Sequence, residues 1–236
     1  MIAVFVNMGT VLLGSVIGLL FSSRLSDKFQ NAMMTALALC TVVIGVSSAI
    51  ATADILCVII CMAIGTALGE LIRIDDGIEH AGDFIKGKVL RGRAGESRFT
   101  EGFVSACILF CVGSMTIMGS LEAGINQNYS IIFAKSALDF VSSMAFAAAM
   151  GVGVAFSILF ILVFQGGLTL LAGLVGPALS AAVVTEMSAV GGTILIGMAI
   201  NMLGLAPNRI KVANMLPAIF LPLIYLPVSN WLGTIL

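Results

Sequence analysis

Charge is what this sequence has least of. Asp, Glu, Lys and Arg make up 10% of its residues, against roughly 25% in a soluble domain that must solvate its own surface. Histidine occurs once, as His80 in a polar stretch, so no Ser-His-Asp relay can be built inside the apolar segments. Neither a phosphate-binding P-loop nor an H-E-x-x-H zinc motif is present. The cysteines number five, and an odd count argues against a disulfide framework. Cys57 and Cys61 fall in a different span and at a different depth from Cys107 and Cys111, so they read as small apolar packers rather than a four-ligand metal site. No basic cluster is interleaved with aromatics, which removes nucleic acid as an expected partner. No metal, cofactor or enzymatic site is expected, because the candidate catalytic groups are scattered.

What is there instead is hydrophobic mass. Residues of that type make up 60% of the chain, and mean hydropathy is +1.16. A lipid bilayer turns such a surface from a liability into a requirement, and about 20 helical residues cross its ~30 Å core. Apolar runs of that length fall at 1–21, 31–51, 55–72, 103–121, 131–150, 152–175, 188–204 and 215–235. The expected fold is all-α: one integral membrane domain over 1–236, a bundle of about eight transmembrane helices. The first run lacks a basic leader and an A-x-A-like site, so it reads as a retained helix. The stretch 176–187, broken by Pro177, reads as a loop, a short helix or a re-entrant segment.

The basic residues set the orientation. Arg24 and Lys28 lie in the first loop. Arg73, Lys86, Lys88, Arg91, Arg93 and Arg98 lie in 73–101, and Arg209 and Lys211 in the last polar loop. With eight spans, ten of the eleven basic residues share one side. That side is expected to be cytoplasmic, with loops 22–30, 73–101 and 205–212 inside and both termini outside. Asp54, Glu122 and Glu186 fall towards the other side. Within 73–101, Ile74, Ile78, Phe84, Ile85 and Val89 are spaced as one face of an amphipathic interfacial helix, with a plain connecting loop as the alternative.

Residues 9–31 align with 192–214 without a gap, with eight identities over 23 positions, from Gly9/Gly192 to Asn31/Asn214. This suggests a repeated hairpin of parallel orientation. Gly14-x-x-x-Gly18 and Gly65-x-x-x-Gly69 put bare backbone on one helix face, the pattern that lets membrane helices approach closely.

A charge at mid-bilayer costs about 2.5–3.5 kcal/mol on insertion scales. Lys135 and Asp139 stand four apart in the fifth span and share a face. At ~1.5 Å per residue Asp139 sits about 13 Å below the outer edge, and Lys135 lies close enough to that edge to snorkel outward. Ser136, Ser142 and Ser143 extend a polar stripe. Two readings stand: a hydrated pocket or ion path around Asp139, and an internal salt bridge that fixes packing. Glu186, just before the seventh span, reads as a cap of that helix's N-terminus or as the mouth of a solute path. Asn201 and Asn214 flank the last basic loop, and Asn7 is the analogous amide in the first helix. Pro217, Pro222 and Pro227 predict a bent or discontinuous last span.

The strings FVSACILFCVGSMTIMGSLEAG, KSALDFVSSM, SAVGGTILIGMAINMLG and IKVANMLPA resemble the bacterial inner-membrane family of unknown function typified by YqgA and YdfK. The resemblance runs from NMGTVLLGSVIG to the NMLPA helix. It implies a polytopic protein of the inner membrane and supplies no substrate. The function expected from the residues is a transporter or channel for a small solute or ion, working as a homo-oligomer. Its pathway candidates are Asp139, Lys135, Ser136, Glu186, Asn201 and Asn214. The alternative is a non-transporting scaffold or sensor that docks a partner through 73–101.

Overall fold

The computed structural model describes residues 1–22, 26–78, 80 and 99–233, and all regular structure among them is helical. The α-helices are α1 (Ile2–Ser22), α2 (Asp27–Ala49), α3 (Ile55–Ile72), α4 (Phe99–Val112), α5 (Ser114–Ile125), α6 (Ser130–Met150), α7 (Ser157–Leu170), α8 (Ala172–Val175), α9 (Ala181–Met202) and α10 (Pro222–Gly233). Turns of 3-10 helix cover Val152–Phe156, Gly176–Ala178 and Val212–Phe220. Residues 74–78 are helical again after Arg73. The rest of the predicted interfacial helix lies outside the described residues.

Six helical segments are long and apolar enough to cross a bilayer singly, and two bent pairs bring the count up to eight. One pair is α4 and α5, bent by 59°; the other is 212–220 with α10, bent by 46°. Each break has a local cause. Gly113 is extended between α4 and α5, at φ −70° and ψ 148°. The Thr116 hydroxyl donates to the Phe110 carbonyl across that break at 2.9 Å. In the second pair Pro217 and Pro222 remove backbone donors, so 212–220 winds as 3-10 helix.

Contacts between the ends show that the α4–α5 pair runs from one end of the bundle to the other. Ala3, Ala123 and Ile132 form one cluster, so the starts of α1 and α6 and the end of α5 are level. At the other end Gly102 packs on Met150, and Gly153 on Phe99. Thus α4 begins level with the end of α6, and α5 ends level with its beginning. Of the described basic residues, all but Lys135 belong to the end that holds the start of α2, the end of α3, the start of α4 and the 203–211 loop. It is called the basic end below.

Three close helix pairs carry the packing: α1 with α6, α2 with α9, and α3 with 212–220. Gly14 faces Phe140 and Ser143, and Gly18 faces Met144 and Ala148, so α1 and α6 run parallel. Gly45 meets Gly192 and Ile196 in an antiparallel pair, and Gly65 and Gly69 meet Ala218 and Asn214 in another. A Cβ at Gly18 would strike the Met144 carbonyl, and one at Gly69 the Asn214 carbonyl. These directions are those of a chain that changes ends at every span.

Some boundaries differ from the sequence expectation. The sixth span ends at Leu170, and α8 with its 3-10 turn then packs at the opposite end, Gly176 against Ile125. The seventh begins at Ala181 rather than 188, because the Ser180 side chain caps it by accepting from the Val183 N–H at 3.3 Å. The aligned hairpins differ in their surroundings: Gly192 is pressed against Gly45, whereas nothing lies within 4 Å of a Cβ built at Gly9. Asn214 is buried and Asn31 exposed.

Candidate functional site

The charged pair of the fifth span lies inside the bundle. Asp139 is the tenth of the 21 residues of α6, near its middle. The Lys135 ammonium donates to Asp139 Oδ2, and both side chains are more than nine-tenths buried. Lys135 therefore does not snorkel to the outer interface. Its near neighbours inside the bundle, the Asp139 carboxylate and the Phe110 ring of α4 at 5.8 Å, hold it there.

Two amides complete the cluster. Asn7 Nδ2 of α1 donates to Asp139 Oδ2 at 3.1 Å and to Gln165 Oε1 of α7 at 3.1 Å. Asn7 is 1% exposed and Gln165 0%. Among the described residues Asn7 Oδ1 and Gln165 Nε2 have no hydrogen-bond partner. One buried acceptor and one buried donor are thus left over, each costing ~1–3 kcal/mol if nothing satisfies it. Ser136 turns back on its own helix and donates to the Ile132 carbonyl at 2.8 Å. Gln165 carried the same sequence signal as Asn7, an amide within an apolar run, and was missed.

The other sequence candidates lie elsewhere. Glu186 is inside α9, not before it, and it caps a different helix. Its carboxylate accepts from the Thr52 hydroxyl at 2.5 Å, the Ala53 N–H at 2.8 Å and the Asp54 N–H at 3.3 Å. Those groups form the entry to α3, whose own cap is Asp54. The negative charge thus sits at the positive end of α3.

Asn201 and Asn214 are at the basic end. The Asn201 side chain brackets the backbone of Ile210, donating to its carbonyl and accepting from its N–H, both at 2.8 Å. Asn214 accepts from the Asp75 N–H at 2.7 Å and donates to Glu70 Oε2 at 2.5 Å, closing the end of α3 onto 212–220. Arg209 pairs with Asp75 at 3.4 Å, and Lys211 with Asp76 at 3.1 Å. Lys211 holds the exposed Asp76 carboxyl below its ordinary value, and Asp76 in turn raises the Lys211 ammonium. Asp139, Glu186, Asn201 and Asn214 therefore occupy three separate places rather than one cavity. Among the described residues no three His, Cys, Asp or Glu side chains converge as metal ligands.

Comparison with known proteins gives a family and no chemistry. Residues 2–226 match the family described as "Protein of unknown function (DUF554)". The chain is 30% identical to the uncharacterized protein YqgA of Escherichia coli K12 over 221 residues, 92% of each chain. It is 26% identical to the uncharacterized membrane protein YdfK of Bacillus subtilis 168 over 232 residues, 96% of each. No solved structure matches. A membrane-protein relative, full-length coverage and a bundle of apolar helices agree on one assignment: this chain is a multi-pass membrane protein of the DUF554 family.

Proposed function

We propose that this protein moves a small solute or ion across the bacterial inner membrane, with its basic end in the cytoplasm. The observation that carries the reading is the Lys135–Asp139 pair with Asn7 and Gln165, a buried polar cluster with an unmatched acceptor and donor. Ionisable groups at this depth mark solute paths and proton relays more often than they serve packing alone. The cluster also adjoins a broken span, since Lys135 lies over Phe110, whose carbonyl takes the Thr116 hydroxyl across the bend. Discontinuous helices beside buried charge are the recurrent building element of transporter sites. The orientation rests on the excess of Lys and Arg at one end.

A second reading has its own observation. Lys135 and Asp139 neutralise one another, so the pair also fits a pin that fastens α1, α6 and α7. The purified full-length protein in proteoliposomes separates the two. Solute flux is recorded by vesicle swelling for a panel of small polar solutes and by ion leak for cations. The transport reading expects a solute flux in the wild type that Asp139→Asn abolishes while the variant still folds. Flux that survives in Asp139→Asn leaves the pin; no flux of any solute removes transport.

A further inference from the structure

The bent span α4–α5 has two sides. One faces the charged cluster, through Phe110. Along the other runs α9, which packs on both α4 and α5. A cavity lies at each end of that seam.

At the basic end, Thr100, Glu101 and Ser105 of α4, Met198 and Asn201 of α9, and Arg209 line a cavity of about 400 Å³. At the opposite end, Ser47 and Ser48 of α2, Met118 of α5, and Val184, Thr185 and Ser188 of α9 line one of about 380 Å³. Both volumes fall within the range of small-molecule sites. Between them α4 and α9 carry buried apolar side chains. Ile108 is one turn beyond Val104 on α4, and Leu195 lies between Ser188 and Met198 on α9. They are 1% and 2% exposed and belong to one core cluster. The bend at Gly113 is in the same stretch.

We infer that the α4–α5/α9 seam is the solute path of the proposed transporter, that Ile108 and Leu195 are its central plug, and that the solute is polar with no net charge. This rests on the transport reading and adds the route and the solute class. The class follows from the linings. The cavity away from the basic end offers hydroxyls and no charged side chain. The other offers one acid and one base, with Arg209 already paired to Asp75. Side-chain-lined ion paths carry rings of charge opposite to the ion, and neither cavity has such an excess. The Thr185 and Ser188 hydroxyls donate within α9, at 2.9 and 2.8 Å, and their oxygens keep acceptor capacity. In this arrangement the charged cluster acts on the bend from behind, and the solute passes in front of it.

Cysteine accessibility tests the route without any knowledge of the substrate. Ser105→Cys and Ser188→Cys are placed separately in a full-length parent whose five native cysteines are alanine. Each is treated with a membrane-impermeant thiol reagent in right-side-out and inside-out vesicles. The two positions are expected to react from opposite sides, Ser105→Cys from the side of the basic loops. Labelling of both from one side, or of neither, overturns the seam even if solute flux is found.

The plug and the solute class are read by swelling of proteoliposomes in glycerol. Ile108→Ala or Leu195→Ala is expected to raise glycerol permeability roughly tenfold over the wild type, equivalent to about 1.4 kcal/mol off the barrier, with potassium leak unchanged. Unchanged glycerol permeability in both folded variants removes the plug. An equal rise in potassium leak removes the neutral class. Should neither variant fold, the labelling result alone decides the route. Intact opposite-sided labelling combined with no solute flux in any vesicle would instead count against the transport reading.

Discussion

Removing the charges of Lys135 and Asp139 one at a time and then together yields the sharpest prediction. Each is more than nine-tenths buried and they pair with one another. Asp139→Leu leaves an ammonium inside the bundle, and Lys135→Met leaves a carboxylate. Breaking a buried pair from one side costs about 3–5 kcal/mol, because the survivor has no counter-charge. In the double variant no charge remains. Asn7 Nδ2 still has Gln165 Oε1, so one lost hydrogen bond of about 1 kcal/mol is the main residue of the change. The two sites should therefore couple by about 5–9 kcal/mol, far outside additivity. Taking ~2–4 °C per kcal/mol for a chain of this size, each single variant should melt roughly 6–20 °C below the wild type in detergent, and the double variant within a few degrees of it. Fluorescence-detected size-exclusion after heating reads all four proteins. Single variants that each cost under about 1 kcal/mol would mean the pair is hydrated and the burial argument wrong. A well-folded double variant that still transports would refute a role for the pair in transport.

Further expectations follow from packing and capping. Gly69→Ala drives a methyl into the Asn214 carbonyl and should destabilise by ~1–3 kcal/mol, while Gly9→Ala, with open space around it, should be neutral or gain up to about 1 kcal/mol in the same thermal assay. Glu186→Ala strips the Thr52 hydroxyl and the Ala53 N–H of their acceptor at the α3 entry, while the Asp54 N–H keeps Thr52 Oγ1 at 3.1 Å, and should cost about 2–4 kcal/mol, with Glu186→Gln keeping part of it; equal losses would show that charge alone matters. The Asp76–Lys211 pair lies at the surface, its side chains partly exposed. Asp76, lowered below 3.8, contributes above that value and is lost as pH falls through its folded pKa. Lys211, raised above 10.5, contributes below that value and is lost as pH rises through its own. Lys211→Ala should thus leave melting unchanged in high salt and alter it slightly in low salt at neutral pH.

The spans were legible because a bilayer imposes a length, and the broken last helix because Pro217 and Pro222 lack donors. What escaped was rotation and capping. Nothing in the sequence says that Asn201 would turn towards Ile210, or Asn214 towards Glu70, instead of towards Asp139. The start of α9 was placed seven residues late because SAAVVTEM is only weakly apolar, although Ser180 is an ordinary N-cap. The Gly45–Gly192 crossing was missed because each helix contributes a single glycine to it and neither forms a spaced pair. Asn7 and Gln165 are each a lone amide in an apolar run, and only the fold brings them together around Asp139.

The Glu186 cap also has a consequence for biogenesis. Thr52 and Glu186 are separated by 134 positions. At ~5–20 residues per second, the ribosome delivers that carboxylate about 7–27 s after the turn it will satisfy. Over that interval the entry to α3 must borrow acceptors from water or from the insertion machinery. The nascent amino-terminal half is therefore a client awaiting its counterpart, and a stall in translation between α3 and α9 would strand it in that state.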